Sequence, residues 1–435
     1  MTPEQQAVQL SRGAEEILPD GQLLERLRAC RRAGRPLRVK QGFDPTAPDI
    51  HLGHTVGLRK LRQFQDLGHQ VVVIVGDYTG MVGDPSGQNR TRPQLTEDLV
   101  EANARTYLEQ FYRVLDRDPQ PPRLPVEVHR NGEWFSRMGF LDVMKLASEY
   151  TIARMLERDD FAQRFAMQQP ISLHELFYPL MQGYDSVAIR ADIELGATEQ
   201  KFNLLVGRAL QELHGQAPQV ILTLPVLPGL DGVMRMSKTL GNYIGVTDEP
   251  ADMFGKVMSL PDSAMPVYWR LAADRSDAES REVERDLGLP AGTLDAPSGD
   301  RGEGSVVGRE GGGAPESPVN PMVVKKRLAH RIVRMYHGVE QADRAQRGFE
   351  AQFSRREIPE DLPIWEAPRA SEMGIKDLLV RSGLAPSGSA AWRAVEQGAV
   401  SIDGVRISDR KHRHGLATAF VLRLGRRMVR VRPGS

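Results

Sequence analysis

The phase of apolar residues changes along the chain, and each change marks an element. Gln70-Val71-Val72-Val73-Ile74-Val75 is a continuous β-branched run, the pattern of a strand buried on both faces of a parallel sheet. Leu37 to Phe43 predicts a second strand, broken by the Asp44-Pro45-Thr46 turn, and His51 to about Leu67 predicts a helix stopped by Gly68. Strand, helix, strand is a βαβ unit. Helical periods run over Glu15–Arg32, Thr96–Asp116, Leu141–Leu156 and Ser172–Tyr184, with a short strand at Val126–His129. Asp192–Leu195, Thr198–His214 and Gln219–Leu222 then restore the strand-helix-strand alternation.

Residues 1–245 therefore read as α/β, a doubly wound parallel sheet of Rossmann-like type with a helical insertion at about 131–190. Beyond them helical patterns dominate to about Gly338. They are interrupted at 289–320, where Gly, Pro and Ser predominate and almost nothing can be buried, so a flexible surface insertion is expected there. A linker near Pro359–Pro368 leads into a tail, 370–435, with helices at Ile375–Ser382 and Ser387–Gln397. Val400-Ser401-Ile402, Asp403-Gly404 and Val405-Arg406-Ile407 predict a hairpin with an Asp-Gly turn, making the tail a small α+β domain.

Length and charge add two things. A chain of 435 residues is too long for one core, so two or three domains are expected. Formal charge is zero, with 57 basic and 57 acidic residues, yet Ser371 to Ser435 holds twelve Lys and Arg against five Asp and Glu. The tail is a basic module within a neutral chain. Cys30 is the single cysteine and can form neither an internal disulfide nor a zinc cluster, which suits a reducing cytoplasm. The polar N-terminal stretch lacks the apolar core of an export signal, and no run approaches the roughly 18 apolar residues of a membrane span.

Candidate chemistry begins in Pro48-Asp49-Ile50-His51-Leu52-Gly53-His54-Thr55-Val56. Histidines at i and i+3 share a helix face, and at a helix N-terminus the free amides and dipole attract anions such as phosphate. Gly53 leaves room for a base or ribose against the backbone. A His-x-x-His pair alone is equally a pair of surface or metal-binding histidines. Far downstream, Arg235-Met236-Ser237-Lys238-Thr239 follows the glycine-bearing Gly229-Leu230-Asp231-Gly232 and has the composition of a mobile cationic clamp for a pyrophosphate leaving group. Together the two elements point to adenylate formation. Tyr178, Gln182 and Asp185 stand at i, i+4 and i+7 of one helix, a polar stripe among Leu176, Phe177, Leu180 and Met181; a solvated face is the plain alternative.

The histidine pair and the clamp resemble the HIGH and KMSKS signatures of class I aminoacyl-tRNA synthetases, and their context is similar to the bacterial tyrosyl-tRNA synthetase family. The matching stretches are Gly42–Pro48, Gly83–Gly87, Tyr178–Asp185 and Leu195–Asn203, with Leu379–Ser387 similar to a small RNA-binding fold shared with a ribosomal protein. The resemblance implies that Thr46 and His51 contact the terminal phosphate of ATP and that His54 contacts the ribose and the α-phosphate charge. Arg235 and Lys238, aided by Arg92, would hold pyrophosphate, with Asp44, Gly53, Glu199, Met236, Ser237 and Thr239 completing the ATP site. Asp84, Tyr178 and Gln182 would bind the α-ammonium of tyrosine, Gln200 its carboxylate and Asp185 its phenolic hydroxyl. It further implies an anticodon-recognition role for the helical 246–355 segment and a homodimer with tRNA across both subunits. In the tail, Lys376, Arg381, Arg393, Arg406 and Arg410 would contact RNA phosphates, and Trp392 either stacks on a base or fills the core. Mg2+ is expected to travel with ATP, since the sequence holds no dedicated carboxylate cage, and no protein-bound metal is expected.

Five positions depart from the family pattern. Lys40 replaces a tyrosine that helps bind the phenol, Gln41 a ribose-contacting cysteine, Gln88 a phosphate-assisting lysine, Glu199 an aspartate and Arg235 a lysine. Activity is expected to survive them. The rival readings are a tryptophanyl counterpart, against which Asp185 argues, a non-catalytic RNA-binding relative, and a small-molecule adenylyltransferase with the same histidine pair.

Overall fold

Valines and isoleucine place Gln70–Val75 at the centre of the fold: Val71 to Val75 are all buried in this computed structural model. The structure describes residues 1–84, 96–238, 240–295, 319–354, 362–368, 372–396, 398–425 and 427–434. The chain divides into two compact units, Met1–Gln346 and Arg347–Ser435.

The first unit is built on six strands: β1 (Glu16–Leu18), β2 (Arg38–Phe43), β3 (Gln70–Val75), β4 (Glu127–Arg130), β5 (Ile193–Ala197) and β6 (Val220–Leu224), in the order β1-β6-β5-β2-β3-β4. β2 to β6 run parallel, with Val39 facing both Val71 and Ile193. From β2 the chain winds outward through β3 and β4, then returns to start β5 on the other side. The reversal lies between β2 and β5, and such a switch point opens a crevice at the strands' carboxyl ends. Doubly wound α/β architecture was expected; the antiparallel edge was not. Glu15–Arg32 is not one helix, because Glu16–Leu18 forms β1 against β6, with Glu16 opposite Thr223, and the helix starts only at Gln22. Pro19 cannot donate to a helix already under way. Leu141–Leu156 likewise divides into helices Phe140–Ser148 and Ile152–Met155, the second capped by the Thr151 side chain accepting from the Arg154 N–H at 3.2 Å.

Helices Pro250–Met258, Met265–Leu271, Asp277–Asp286 and Pro321–His337 follow the sheet in the first unit. Part of the expected insertion is ordered: Leu294 is buried, and its N–H donates to Glu284 at 2.8 Å. Residues 296–318 lie outside the described residues. A further helix, Val339–Ser354, begins where Gly338 at φ +83° breaks the preceding one.

In the second unit a sheet of order β10-β9-β12-β13-β7 packs against helices Ile375–Arg381 and Gly388–Glu396 around Leu378, Leu379, Val395 and Leu422. Its strands are β7 (Ile364–Glu366), β9 (Val400–Ile402), β10 (Val405–Arg406), β12 (Phe420–Leu424) and β13 (Arg427–Arg432), while β8 (Glu372–Gly374) pairs with β11 (Arg413–Gly415). The Asp403-Gly404 turn has φ +47° and +82°, the left-handed pair that an Asp-Gly hairpin requires. Within the expected 359–368 linker lies β7, parallel to β13 and bonded to it from Ile364 to Glu366.

Candidate active site

At the carboxyl end of β2 the chain turns through Asp44–Ile50 and enters helix Leu52–Asp66, with His51 at its N-cap. Helix Glu97–Phe111 pins the turn from behind. Asn103 Nδ2 donates to the Pro45 carbonyl at 2.9 Å, and Gln110 donates to the Pro48 carbonyl at 2.8 Å while accepting from the Ile50 N–H at 2.7 Å. The His51 and His54 rings lie 3.9 Å apart between centroids, and the His51 backbone N–H donates to His54 Nδ1 at 3.2 Å. That bond leaves the ring proton of His54 on Nε2. Burial lowers both histidines, His51 to about 2 and His54 to about 4, with the Lys238 ammonium adding to each shift, so both rings are neutral at pH 7.

The distant clamp segment is stitched to this helix start through the backbone. The Leu52 N–H donates to the Ile244 carbonyl and the Val246 N–H to the Ile50 carbonyl, each at 2.9 Å, around a bridge between His51 and Gly245. A Cβ on Gly53 would stand 3.0 Å from the His51 ring and 3.7 Å from Met236, so the glycine admits both. Lys238 Nζ donates to the Asp49 carbonyl and lies 5.8 Å from the Tyr107 ring centroid; burial pulls its pKa down. Arg235 pairs with Glu199, just beyond β5, at 2.8 Å. Asn242 shapes the loop between, accepting from the Ser237 N–H and donating to Asp231, both at 2.8 Å. Thr46 is exposed on the turn, hydrogen-bonded to Tyr107.

The stripe on helix Phe177–Ile189 faces inward rather than to solvent. Tyr178 Oη donates to Asp44 Oδ2 at 2.9 Å, and Thr79 Oγ1 donates to Asp44 Oδ1 at 2.7 Å. Asp44 is thus joined to Tyr178 of the expected tyrosine pocket. Asp185 is buried, accepting from Trp134 Nε1 at 3.0 Å and, more loosely, from Asn131 Nδ2 at 3.4 Å. Burial pushes its carboxyl up to about 7 despite the Lys40 charge and these two donors.

Gln182, Gln200 and Asp84 meet through Asn203. Its Nδ2 donates to Gln182 Oε1 and Gln200 Oε1, each at 2.9 Å, and Gln200 Nε2 donates to Asp84 Oδ2 at 2.8 Å. Arg158, also buried, lies 3.6 Å from Asp84 and donates to Asn203 Oδ1 at 3.2 Å. Beneath them Lys40 of β2 is enclosed, its ammonium 3.0 Å from Glu194 of β5.

The structure therefore brings Asp44, Thr46, His51, Gly53, His54, Met236, Ser237 and Lys238 to one rim of the crevice, with Arg235 and Glu199 paired beside it. Asp44 holds Tyr178 directly and reaches Asp185 through Thr79 and Asn131, while Asp84, Gln182 and Gln200 meet at Asn203. Arg92 and Thr239 lie outside the described residues. Sequence reasoning missed Thr79, Tyr107, Asn131, Trp134, Arg158, Glu194 and Asn203. Two of them carried a usable signal: Asn203 closes the matching stretch Leu195–Asn203, and Tyr107 shares the polar face of Asn103, Thr106 and Gln110. Among the described residues, no group of three or more His, Cys, Asp and Glu is arranged to hold a metal ion, and no helix is long and apolar enough to cross a membrane.

In the second unit Arg381, Arg393, Arg406 and Arg410 are exposed and Lys376 is partly so, on the two helices, β10 and the turn after it. Trp392 packs against the unit's core, with the Arg410 guanidinium 5.5 Å from its ring centroid.

Residues 32–354 match the family of class I tRNA synthetases (W and Y), and residues 355–424 match the tyrosine–tRNA ligase SYY-like C-terminal domain. The tyrosine–tRNA ligase of Moorella thermoacetica is 48% identical over 418 residues, covering 96% of this chain and 93% of that protein. That of Thermotoga maritima is 47% identical over 427 residues, covering 98% and 97%. In fold the chain is similar to the tyrosyl-tRNA synthetase of Archaeoglobus fulgidus complexed with L-tyrosine, at TM-score 0.58, 22% identity and 80% and 100% coverage. It is also similar to a C-terminally truncated mitochondrial tyrosyl-tRNA synthetase of Aspergillus nidulans, at TM-score 0.60, 18% identity and 81% and 94% coverage. With the histidine pair, the clamp and the crevice in place, the chain belongs to the tyrosine–tRNA ligase family of class I tRNA synthetases.

Proposed function

We propose that the protein is an ATP-dependent tyrosine–tRNA ligase working through the site above. A carboxylate oxygen of tyrosine attacks the α-phosphorus of ATP, the bond to the β-phosphate breaks, and tyrosyl-adenylate and pyrophosphate form. A terminal ribose hydroxyl of tRNA(Tyr) then takes the tyrosyl group and AMP leaves. No side-chain nucleophile is needed; orientation and electrostatic stabilisation lower the barrier.

In this reading Thr46 and His51 hold the terminal phosphate, and His54 donates from Nε2 toward the ribose and the charge growing at the α-phosphate. Neutral rings suit that task because they donate a hydrogen bond without attracting the triphosphate equally in the ground state. Lys238, Arg235 and Arg92 take up pyrophosphate; Asp44, Gly53, Glu199, Met236, Ser237 and Thr239 shape the nucleotide site. Asp84, Tyr178 and Gln182 face the ammonium, Gln200 the carboxylate and Asp185 the phenol. Mg2+ arrives on the phosphates of ATP. Lys376, Arg381, Arg393, Arg406 and Arg410 contact RNA phosphates, and the 246–355 segment reads the anticodon region. The cytoplasm is the proposed location.

A homodimer is part of the proposal. Phe140, Leu141, Met144, Phe165, Met167 and Leu173 are exposed apolar side chains on successive short helices between residues 140 and 176, supporting a second copy as the surface that covers them.

The observation that carries the reading is the backbone bridge from His51 to Gly245, which holds the neutral histidine pair and the clamp lysine at one turn. Pyrophosphate exchange with tyrosine, tryptophan and phenylalanine tests it. Tyrosine alone is expected to support exchange, and both His54→Ala and Asp185→Ala are expected to reduce it by about a hundredfold or more. Exchange undiminished in His54→Ala sinks the catalytic assignment, and exchange driven by tryptophan sinks the choice of substrate.

A further inference from the structure

Lys40 and Glu194 form an ion pair with side chains 0% and 1% exposed, and every polar atom of the pair is engaged. Lys40 Nζ donates to the Gln182 carbonyl at 2.9 Å and to Ser186 Oγ at 2.8 Å, and reaches Glu194 Oε1 at 3.0 Å. The Glu194 carboxylate also accepts from Gln182 Nε2 at 3.2 Å, Ser186 Oγ at 3.0 Å and Gln219 Nε2 at 2.5 Å. Gly207 leaves room for this knot: a Cβ there would stand 2.6 Å from Gln219 and 3.3 Å from Glu194.

An ionised carboxylate can only accept, so it dictates which end of a neighbouring amide faces it. Gln182 must turn its NH2 to Glu194, leaving Oε1 on the opposite side, where Asn203 donates to it at 2.9 Å. A carbonyl oxygen with a second lone pair is what an amino acid's ammonium requires; the NH2 in its place would repel it. Buried ion pairs often add little stability, since desolvation offsets the attraction, and a role in orientation gives this one a reason to exist.

We infer that the Lys40–Glu194 pair is a positioning device for the tyrosine ammonium, fixing the Gln182 amide so that its oxygen faces the bound amino group. The inference rests on the reading of Gln182 as an ammonium acceptor. Glu194→Gln replaces the acceptor-only carboxylate with an amide that can donate, so Gln182 is free to flip.

The test uses the full chain, pyrophosphate exchange and two competitive probes: tyramine, which keeps the ammonium, and 3-(4-hydroxyphenyl)propionate, which lacks it. In Glu194→Gln the KM for tyrosine and the Ki for tyramine are expected to rise about tenfold, one charge-assisted hydrogen bond's worth. The KM for ATP and the Ki for the propionate are expected to stay within about twofold, since neither carries the ammonium from which the Gln182 oxygen would accept. Equal change in both Ki values, or change in neither, overturns the proposal. Because the single variant leaves Lys40 unpaired, Lys40→Met/Glu194→Gln is measured beside it; this double variant removes both charges and keeps an acceptor for Ser186 and Gln219. Its Tm is expected to recover toward the parent while KM for tyrosine stays raised. If KM recovers along with Tm, the pair is merely structural and the proposal falls. Gln182→Ala separates the two levels: if it leaves KM for tyrosine and Ki for tyramine unchanged, the reading of Gln182 itself fails, and the inference with it.

Discussion

Asp185 carries its carboxyl into a fully enclosed place, where burial raises its pKa to about 7. A phenol hydroxyl donates to the ionised form, so tyrosine binding favours loss of that proton. The KM for tyrosine should therefore rise as pH falls from 8 to 6, and Asp185→Asn should show a higher KM that is flat over this range. Stability has the opposite sign. A carboxyl raised above its unfolded value near about 4 contributes stability that is fully present below that pH and is lost as pH rises through about 7. The Tm of Asp185→Asn relative to the parent should accordingly improve between pH 5 and 8, as scanning calorimetry can measure. At Gly76 an added Cβ would stand 2.1 Å from Asp44 Oδ1 and 2.2 Å from Thr79 Oγ1. Gly76→Ala must push Asp44 off Tyr178, and it is expected to cost about 1–3 kcal/mol of stability by chemical denaturation and to raise KM for tyrosine. His51, His54 and Asp185 were legible as residues because their chemistry is unusual for their place in an apolar period, and Lys238 because it stands with Arg235 in a short cationic loop. Thr79, Asn131 and Trp134 were not, since each is ordinary in its own element and matters only for what the fold sets opposite it.

Elements repeat this division. The central strands and the helix after His51 were readable because burial on both faces leaves an unbroken β-branched run, and a one-sided helix leaves a 3.6-residue period. β1 and β7 were lost in an assumed helix and an assumed linker, for each is three residues long and owes its existence to a partner far along the chain. One element carries an anchor that no period reveals. Lys60, buried on helix Leu52–Asp66, donates to the Leu10 carbonyl at 2.9 Å, the Arg12 carbonyl at 2.7 Å and Gln63 Oε1 at 2.8 Å, ending helix Pro3–Ser11. Burial lowers its pKa to about 7. Lys60→Met removes both carbonyl contacts, and amide exchange at residues 3–14 should accelerate about tenfold or more while β2 and β3 remain protected. Unchanged exchange at those amides would show that packing alone holds the N-terminal helix.

For the whole molecule, division of labour between the two compact units is the question. A chain truncated after Ser354 keeps every residue assigned to ATP and tyrosine, so pyrophosphate exchange should stay within about twofold of the parent, whereas charging of tRNA should fall and lose part of its salt dependence. Equal loss of both activities would mean that the basic unit serves adenylation too. The parallel pairing of β7 with β13 adds a matter of timing. Trp365 sits opposite Val431, so the first strand of the second unit meets its neighbour only after 66 further residues have been made. At about 5–20 residues per second, roughly 3–13 seconds of synthesis separate the two. During that interval β7 emerges from the ribosome as a bare strand edge, while the sheet and helices of the first unit can already close. The order of birth thus matches the order of chemistry: the part that makes the adenylate can fold before the part proposed to grip the RNA has its last strand.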